Sequence, residues 1–191
     1  MSEVIEVRWH GRGGQGAKTG SAILAEVLFE AGKFTQSFPE YGAERQGAPM
    51  KAFNRVSEKP IRVRSGVLQP DIVVLIDPTL IDAVRPTDGG KDDTVYLINS
   101  PDDPKVIRKK LGIPASAKLM TVDATKITLE EFGQNRPNTP MLGALSHCFP
   151  DVPVQAFIDH FTHKMGAKLP EKVLTANQNA IRRGHEEVHQ G

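Results

Sequence analysis

Cysteine is almost absent from this chain. Its 191 residues contain one, Cys148, which excludes an internal disulfide and any iron–sulfur cluster ligated by the chain alone, since such clusters need several thiolates. Aromatic residues are scarce at 6%, with a single tryptophan. An excess of one charge sign is missing too: 24 Lys and Arg against 23 Asp and Glu leave a formal +1. With no global field to attract nucleic acid or an anionic membrane, neither is expected as a partner. No apolar run approaches the ~20 residues of a membrane span. The first residues lack the charged-then-apolar order of a secretory leader, so a cytoplasmic protein is expected. If the protein serves redox chemistry, the electrons must travel elsewhere.

The strongest pattern that is present lies at residues 4–31. Residues 4–9 are a β-leaning run, Gly11-Arg12-Gly13-Gly14-Gln15-Gly16 a loop, and from Ala17 onward Ile23, Leu24, Val27, Leu28 and Ala31 recur at helical spacing. Glycines 11, 13 and 16 fit G-x-G-x-x-G between strand and helix. Glycine there permits a tight turn and close backbone approach, and the helix start offers free N–H groups to an anion.

Further along, residues 34–37 read as a second strand and residues 38–49 as a glycine- and proline-rich connection. Residues 50–56 and the alternating 61–64 read as a hairpin around a turn at 57–60. The continuous apolar run 72–76 reads as a central parallel strand buried on both faces. Pro78 opens a short helix to Ala83, 95–98 is a strand, Asp103-Pro104 opens a helix to Leu111, 118–122 is the last strand, and Asp123 caps the next helix. From Thr139, taken as an N-cap, the pattern is helical over 140–148, 154–165 and 170 to about 188. This order implies an α/β fold: a Rossmann-like, doubly wound, mostly parallel sheet with an inserted β-hairpin and a C-terminal helical segment. One domain over 1–191 is expected, with a sheet core at 1–135 and the helices of 136–191 packed on it.

Several chemistries compete for these motifs. A nicotinamide site calls for an acidic residue about 20 positions on, at the tip of the second strand. That tip is Ser37-Phe38, and Glu40 lies beyond Pro39, though Arg12 could take a 2′-phosphate. A triphosphatase P-loop fails because Ala17 holds the lysine position and Lys18 comes one residue late, about 100° around the helix. His185-Glu186-Glu187-Val188-His189 fits H-E-x-x-H, but a catalytic zinc needs three protein ligands, and a solvated helix end is the plainer reading. His160 and His163 read as surface residues of a helix. Cys148, on an apolar run without a basic neighbour, reads as a core residue. Arg62 and Arg64, with Lys51 and Arg55 nearby, read as a solvated hairpin face, or else as a partner surface or a polyphosphate funnel.

The run Glu6-Val-Arg-Trp-His-Gly-Arg-Gly-Gly-Gln-Gly16, followed by Phe38-Pro-Glu-Tyr-Gly-Ala-Glu-Arg-Gln-Gly-Ala-Pro-Met50, resembles one family in particular. It is similar to the gamma subunits of the 2-oxoacid:ferredoxin oxidoreductases, above all those acting on pyruvate. The likeness continues through Asp77-Pro-Thr-Leu80, Val122-Asp-Ala124, Pro137-Asn-Thr-Pro-Met-Leu-Gly-Ala-Leu145, Ala176-Asn177 and Arg182-Arg-Gly184. It implies a heteromeric, cytoplasmic enzyme that interconverts pyruvate plus coenzyme A with acetyl-coenzyme A plus CO2. Thiamine diphosphate and iron–sulfur clusters are then held by alpha, beta and ferredoxin-like delta partners, and electrons pass to ferredoxin or flavodoxin. This chain would hold neither cofactor nor a catalytic residue of its own. Gly11, Arg12, Gly13, Gly14, Gln15, Gly16 and Arg45 would face coenzyme A phosphates or a partner subunit. The alternatives are a gamma subunit for another 2-oxoacid, a free-standing NADP-dependent reductase, and a scaffold that binds no ligand.

Overall fold

The structure, a computed structural model, describes residues 4–40 and 47–191; Arg45 lies outside them. Strands β1 (Val4–Arg12), β2 (Phe34–Glu40), β3 (Pro49–Ser57), β4 (Ile72–Leu75), β5 (Val95–Asn99), β6 (Lys118–Val122) and β7 (His189–Gln190) form one sheet in the order β2-β3-β1-β4-β5-β6-β7. β1, β4, β5 and β6 run parallel, while β3 pairs antiparallel with both β1 and β2, and β7 pairs antiparallel with β6. The chain leaves β1 toward β3 on one side and returns to β4 on the other, so the strand order reverses between β1 and β4.

The helices are α1 (Ala17–Glu30), α2 (Ile81–Val84, after a 3-10 turn at Pro78–Leu80), α3 (Pro104–Leu111), α4 (Ala124–Phe132), α5 (Asn138–Leu145), α6 (Val154–Met165) and α7 (Glu171–Glu186). Strand alternation divides the core. Val7, Trp9, Ile72, Val74 and Ile76 face α1 and α4 through α7, whereas Val73, Leu75, Tyr96 and Ile98 face α2 and α3. All four residues of β4 are buried, as expected of a strand covered on both sides. The single tryptophan lies beneath α1. Gly20 lets the helix approach, since a methyl there would sit 3.1 Å from the Trp9 ring. Trp9 donates its indole N–H to Asn54 Oδ1 at 2.8 Å, and Asn54 donates to the Ser21 carbonyl at 2.7 Å, tying β1, β3 and α1 together.

Several expectations need correction. The antiparallel pair exists, but its members are β2 and β3; residues 61–64 form no strand. Both edges of β3 are already occupied, by β1 and β2, so no edge is left for a third partner. β2 continues through Pro39, tolerated because β2 ends the sheet among the described residues and a missing N–H there breaks no ladder bond on its outer side. β1 extends to Arg12 because β3 pairs with it as far as Arg12↔Pro49. Thr139 caps nothing. It lies inside α5 and donates its hydroxyl to Asn177 Oδ1 at 3.1 Å on α7. His160 is buried rather than exposed, with Nε2 2.9 Å from Glu26 and Nδ1 2.9 Å from Glu30, the latter outside hydrogen-bonding geometry.

The last two helical motifs of the sequence meet each other. α7 buries Ala176, Ala180, Ile181 and Gly184, three of them small enough to let another helix come close. Gly143 of α5 lies against the Ile181 carbonyl and Gly184 against the Pro140 carbonyl. His185 sits beside them: its Nδ1 is 2.8 Å from Ser146 Oγ, and its ring stacks on His147 with centroids 4.1 Å apart. His189 has left the helix for β7, so the two histidines of the H-E-x-x-H pattern share no helical face.

Candidate functional site

Ligands of open α/β sheets bind at the carboxyl ends of the strands where the strand order reverses. Here that point lies between β1 and β4. Gly11 to Gly16 follow from β1, and Asp77-Pro78-Thr79 from β4. Gly14 and Gly16 adopt φ of +98° and +88°, a region in which a side chain strains the backbone. Gly16 also has no room for one, because a methyl would lie 2.5 Å from the Asn138 side chain at the start of α5. The start of α1 carries no side-chain cap and no acidic residue in its first turn, so no carboxylate of its own first turn neutralises its positive dipole end.

A clasp centred on Arg12 and Asp77 ties the two carboxyl ends together. Arg12 donates from Nε to Asp77 Oδ2 at 3.0 Å, from Nη1 to the Gly47 carbonyl at 3.1 Å and from Nη2 to Thr79 Oγ1 at 3.0 Å. Gln15 donates to the same Asp77 oxygen at 2.7 Å, while its own carbonyl oxygen accepts from Arg12 N at 2.7 Å. Asp77 Oδ1 accepts from Thr79 N at 2.9 Å and Thr79 Oγ1 at 2.6 Å. Burial alone would raise the Asp77 carboxyl. The bonds from Thr79 and Gln15 and the charge of Arg12 outweigh it and hold the group below the usual carboxylate range. The second glycine segment is anchored too, with Gly13 N donating to Ala48 O at 3.0 Å and Gly47 N to Gly13 O at 3.1 Å. Of the five N–H groups on the Arg12 guanidinium, three are engaged and two remain to donate.

The Asp77–Thr79 turn is shared with a second feature. A groove of about 590 Å3 opens along the carboxyl ends of β5 and β6, lined by Pro78, Asn99, Pro101, Asp123, Thr125 and Leu129 among others. Its floor is fixed by Asn99, which donates to the Ile76 carbonyl at 2.8 Å and to Thr125 Oγ1 at 2.9 Å. The sequence pointed to the glycine loop and Arg12. It did not point to Gln15 and Thr79 as co-ligands of Asp77, nor to the groove, although the buried strand ending in Asp77-Pro78-Thr79 marked the place.

On the opposite face of β1 from Trp9, two basic side chains are buried with little to bond. Arg8 donates to the Pro86 carbonyl at 3.0 Å and the Asp88 carbonyl at 2.5 Å, but its Nε has no partner. His10 is 1% exposed, and neither ring nitrogen has a hydrogen-bond partner. Burial, and then the charges of Arg8 and Lys51, push its imidazole down to about 3, so it is neutral at physiological pH.

The donor set does not suit an iron–sulfur cluster. Such a cluster requires several thiolates, and the chain has one cysteine, Cys148, whose thiol burial pushes up to about 12. Among the described residues no three His, Cys, Asp or Glu side chains gather into a metal-binding group. Nor is any described helix long and apolar enough to cross a membrane.

Comparison with known proteins fixes the lineage of this architecture. The family described as pyruvate ferredoxin/flavodoxin oxidoreductase matches residues 6–187, from within β1 to just past the end of α7. The chain belongs to that family. Pyruvate synthase subunit PorC of Thermotoga maritima is 50% identical over 184 residues, covering 96% of this chain and 94% of that protein. The pyruvate/ketoisovalerate oxidoreductases common subunit gamma of Pyrococcus furiosus is 41% identical, covering 97% of each. The crystal structure of pyruvate oxidoreductase subunit PORC from Thermotoga maritima superposes with a TM-score of 0.86 at 45% identity over 100% of this chain and 99% of that one. A 2-oxoglutarate:ferredoxin oxidoreductase from Magnetococcus marinus, solved with coenzyme A and succinyl-CoA bound, shares the fold at 20% identity and a TM-score of 0.78. There the matching region makes up 31% of a longer chain.

Proposed function

We propose that this chain is the gamma subunit of a cytoplasmic pyruvate:ferredoxin oxidoreductase (pyruvate synthase), acting as one gamma-type domain. The observation that carries this reading is the end-to-end match to pyruvate synthase subunit PorC. The complex interconverts pyruvate plus coenzyme A with acetyl-coenzyme A plus CO2, with ferredoxin or flavodoxin as electron carrier. Thiamine diphosphate and iron–sulfur clusters belong to the alpha, beta and delta-type partners, since the one cysteine of this chain cannot ligate a cluster by itself. A second reading, a gamma subunit shared with a branched-chain 2-oxoacid enzyme, is favoured by the relatives named as common to pyruvate and ketoisovalerate oxidoreductases.

Within that complex the loop Gly11, Arg12, Gly13, Gly14, Gln15 and Gly16, with Arg45, forms one wall of a site for coenzyme A phosphates that other subunits complete. The position at the strand-order reversal, the start of α1 with no acidic residue in its first turn, and the two unused Arg12 donors support this role. The Arg12–Asp77 clasp fixes the loop, so its N–H groups are set before any anion arrives.

An Arg12→Ala, Arg45→Ala variant of the assembled complex tests it. The apparent KM for coenzyme A should rise by roughly tenfold or more, the scale of a lost charge-assisted bond, while the KM for pyruvate stays put. Normal assembly with unchanged coenzyme A affinity overturns the ligand role. Failed assembly would instead place the loop at a subunit contact.

A further inference from the structure

The segment 61–68, read from sequence as a strand, is a strap laid across the sheet. Arg55, 1% exposed, reaches up from β3 and collects its carbonyls, with Nη2 donating to Ser65 at 2.5 Å and, more weakly, Nη1 to Val63 and Nη2 to Gly66, both at 3.4 Å. Gln36 of β2 donates to the Ile61 carbonyl at 3.3 Å. Arg55 is itself held by Glu6 at 2.8 Å and lies 5.3 Å from the Phe38 ring centroid. Val67 and Pro70 are buried and pin the far end.

What the strap leaves for solvent is one-sided chemistry. The carbonyls of Ile61, Val63, Ser65 and Gly66 accept from Gln36 or Arg55, yet no N–H of residues 61–68 donates a hydrogen bond within the described residues. Arg62 and Arg64 are exposed and have neither a hydrogen bond nor an ion pair among the described residues. Between and beside them Val63 is 49% exposed and Leu68 80%. The strap is therefore a fixed row of unpaired donors, two of them guanidinium groups, with two aliphatic side chains set among them. Such a surface complements carboxylates and backbone carbonyls flanking an apolar contact.

We infer that the strap 61–68 is a docking surface for an acidic segment of another subunit of the oxidoreductase complex, with Arg62 and Arg64 pairing carboxylates around an apolar contact at Val63 and Leu68. This rests on the gamma-subunit reading. The Arg55–Glu6 pair is then the device that holds the strap in shape before the partner arrives, because it bonds the strap's carbonyls and leaves its donors free.

Amide hydrogen exchange on the full chain, alone and in complex with its co-expressed partner subunits, tests the surface without any mutation. Amides of 61–68 should exchange at least tenfold more slowly in the complex. An Arg62→Glu, Arg64→Glu variant should co-purify with the partners several-fold less, and added salt should weaken wild-type assembly more than that of the variant. A Leu68→Asp variant should show the same loss, and all variant chains should keep the wild-type circular dichroism, since none of the altered side chains is buried. Equal exchange in complex and free chain, together with full assembly of the charge-reversed variant, overturns the inference. Protection that arises in the chain alone as it self-associates also overturns it, naming a second copy as the occupant. A wild-type chain that joins no partner subunit overturns the gamma-subunit reading itself, so the two failures are told apart.

Discussion

Gly184→Ala should be among the least tolerated substitutions in this chain. A methyl at position 184 would lie 2.0 Å from the Pro140 carbonyl oxygen, and one at Gly143 would lie 1.9 Å from the Ile181 carbonyl oxygen. Both obstacles are backbone atoms, so no change of side-chain rotamer relieves them, and α5 and α7 must separate. Overpacking commonly costs about 1–3 kcal/mol and more where the backbone has to move; each substitution is expected at or above roughly 3 kcal/mol. For a chain of this length that is a fall in melting temperature on the order of 10 °C. Urea midpoints of the two variants check it, with Thr139→Val, which removes only the bond to Asn177, as a milder comparison at about 1 kcal/mol. The double variant should cost less than the sum, since one separation of the helices accommodates both methyl groups. A wild-type midpoint for either single variant would show that these helices do not pack as described.

The second large effect is on acid stability, and His10 is its source. Its folded-state pKa of about 3 lies below the ordinary 6.5. The unfolded chain therefore takes up a proton that the folded chain refuses. The stability from keeping this imidazole neutral is fully present above pH 6.5 and is lost as the pH falls from 6.5 toward 3. At about 1.4 kcal/mol per pH unit, the loss reaches roughly 3 kcal/mol by pH 4.5. His185, lowered by burial and by neighbouring His147, adds a smaller loss of the same sign. Asp77, held low chiefly by hydrogen bonds against the pull of burial, adds its own below the carboxylate range. A His10→Leu variant isolates the first component: its stability between pH 7 and pH 4.5 should fall by some 3 kcal/mol less than that of the wild type. At pH 7 the same change should be neutral or mildly stabilising, since neither imidazole nitrogen has a bond to lose. Parallel stability–pH curves for the two proteins would refute the assignment.

Local chemistry carried much of the fold in the sequence. Asp103 ahead of Pro104 defined α3, and its side chain does accept from Lys105 N at 2.8 Å. The unbroken apolar run from Ile72 defined a strand buried on both sides, and the aliphatic spacing after Pro153 defined α6 to the residue. The expectations that failed depend on residues distant in sequence. Residues 61–64 alternate as well as any strand, but whether they pair depends on β1 and β2 having taken both edges of β3. His160 looks like a surface residue until α1 brings Glu26 and Glu30 to it. Beside Ile181 the buried face of α7 is Ala176, Ala180 and Gly184, residues that hydrophobic periodicity undervalues because it weighs side-chain size and not closeness of approach. The candidate site was legible as a glycine loop and an arginine. That the arginine reaches across the strand-order reversal to Asp77 follows only from the pairing of β1 with β4.

The single tryptophan also makes this chain its own optical probe. Trp9 is fully buried, bonded through its indole N–H to Asn54 and covered by Gly20 of the helix that begins at the glycine loop. Its emission therefore reports one event, the seating of α1 on the sheet beneath the loop, with no second indole in the chain to dilute the signal. A red shift during titration with denaturant, or on assembly, would time the loosening of this helix without any label.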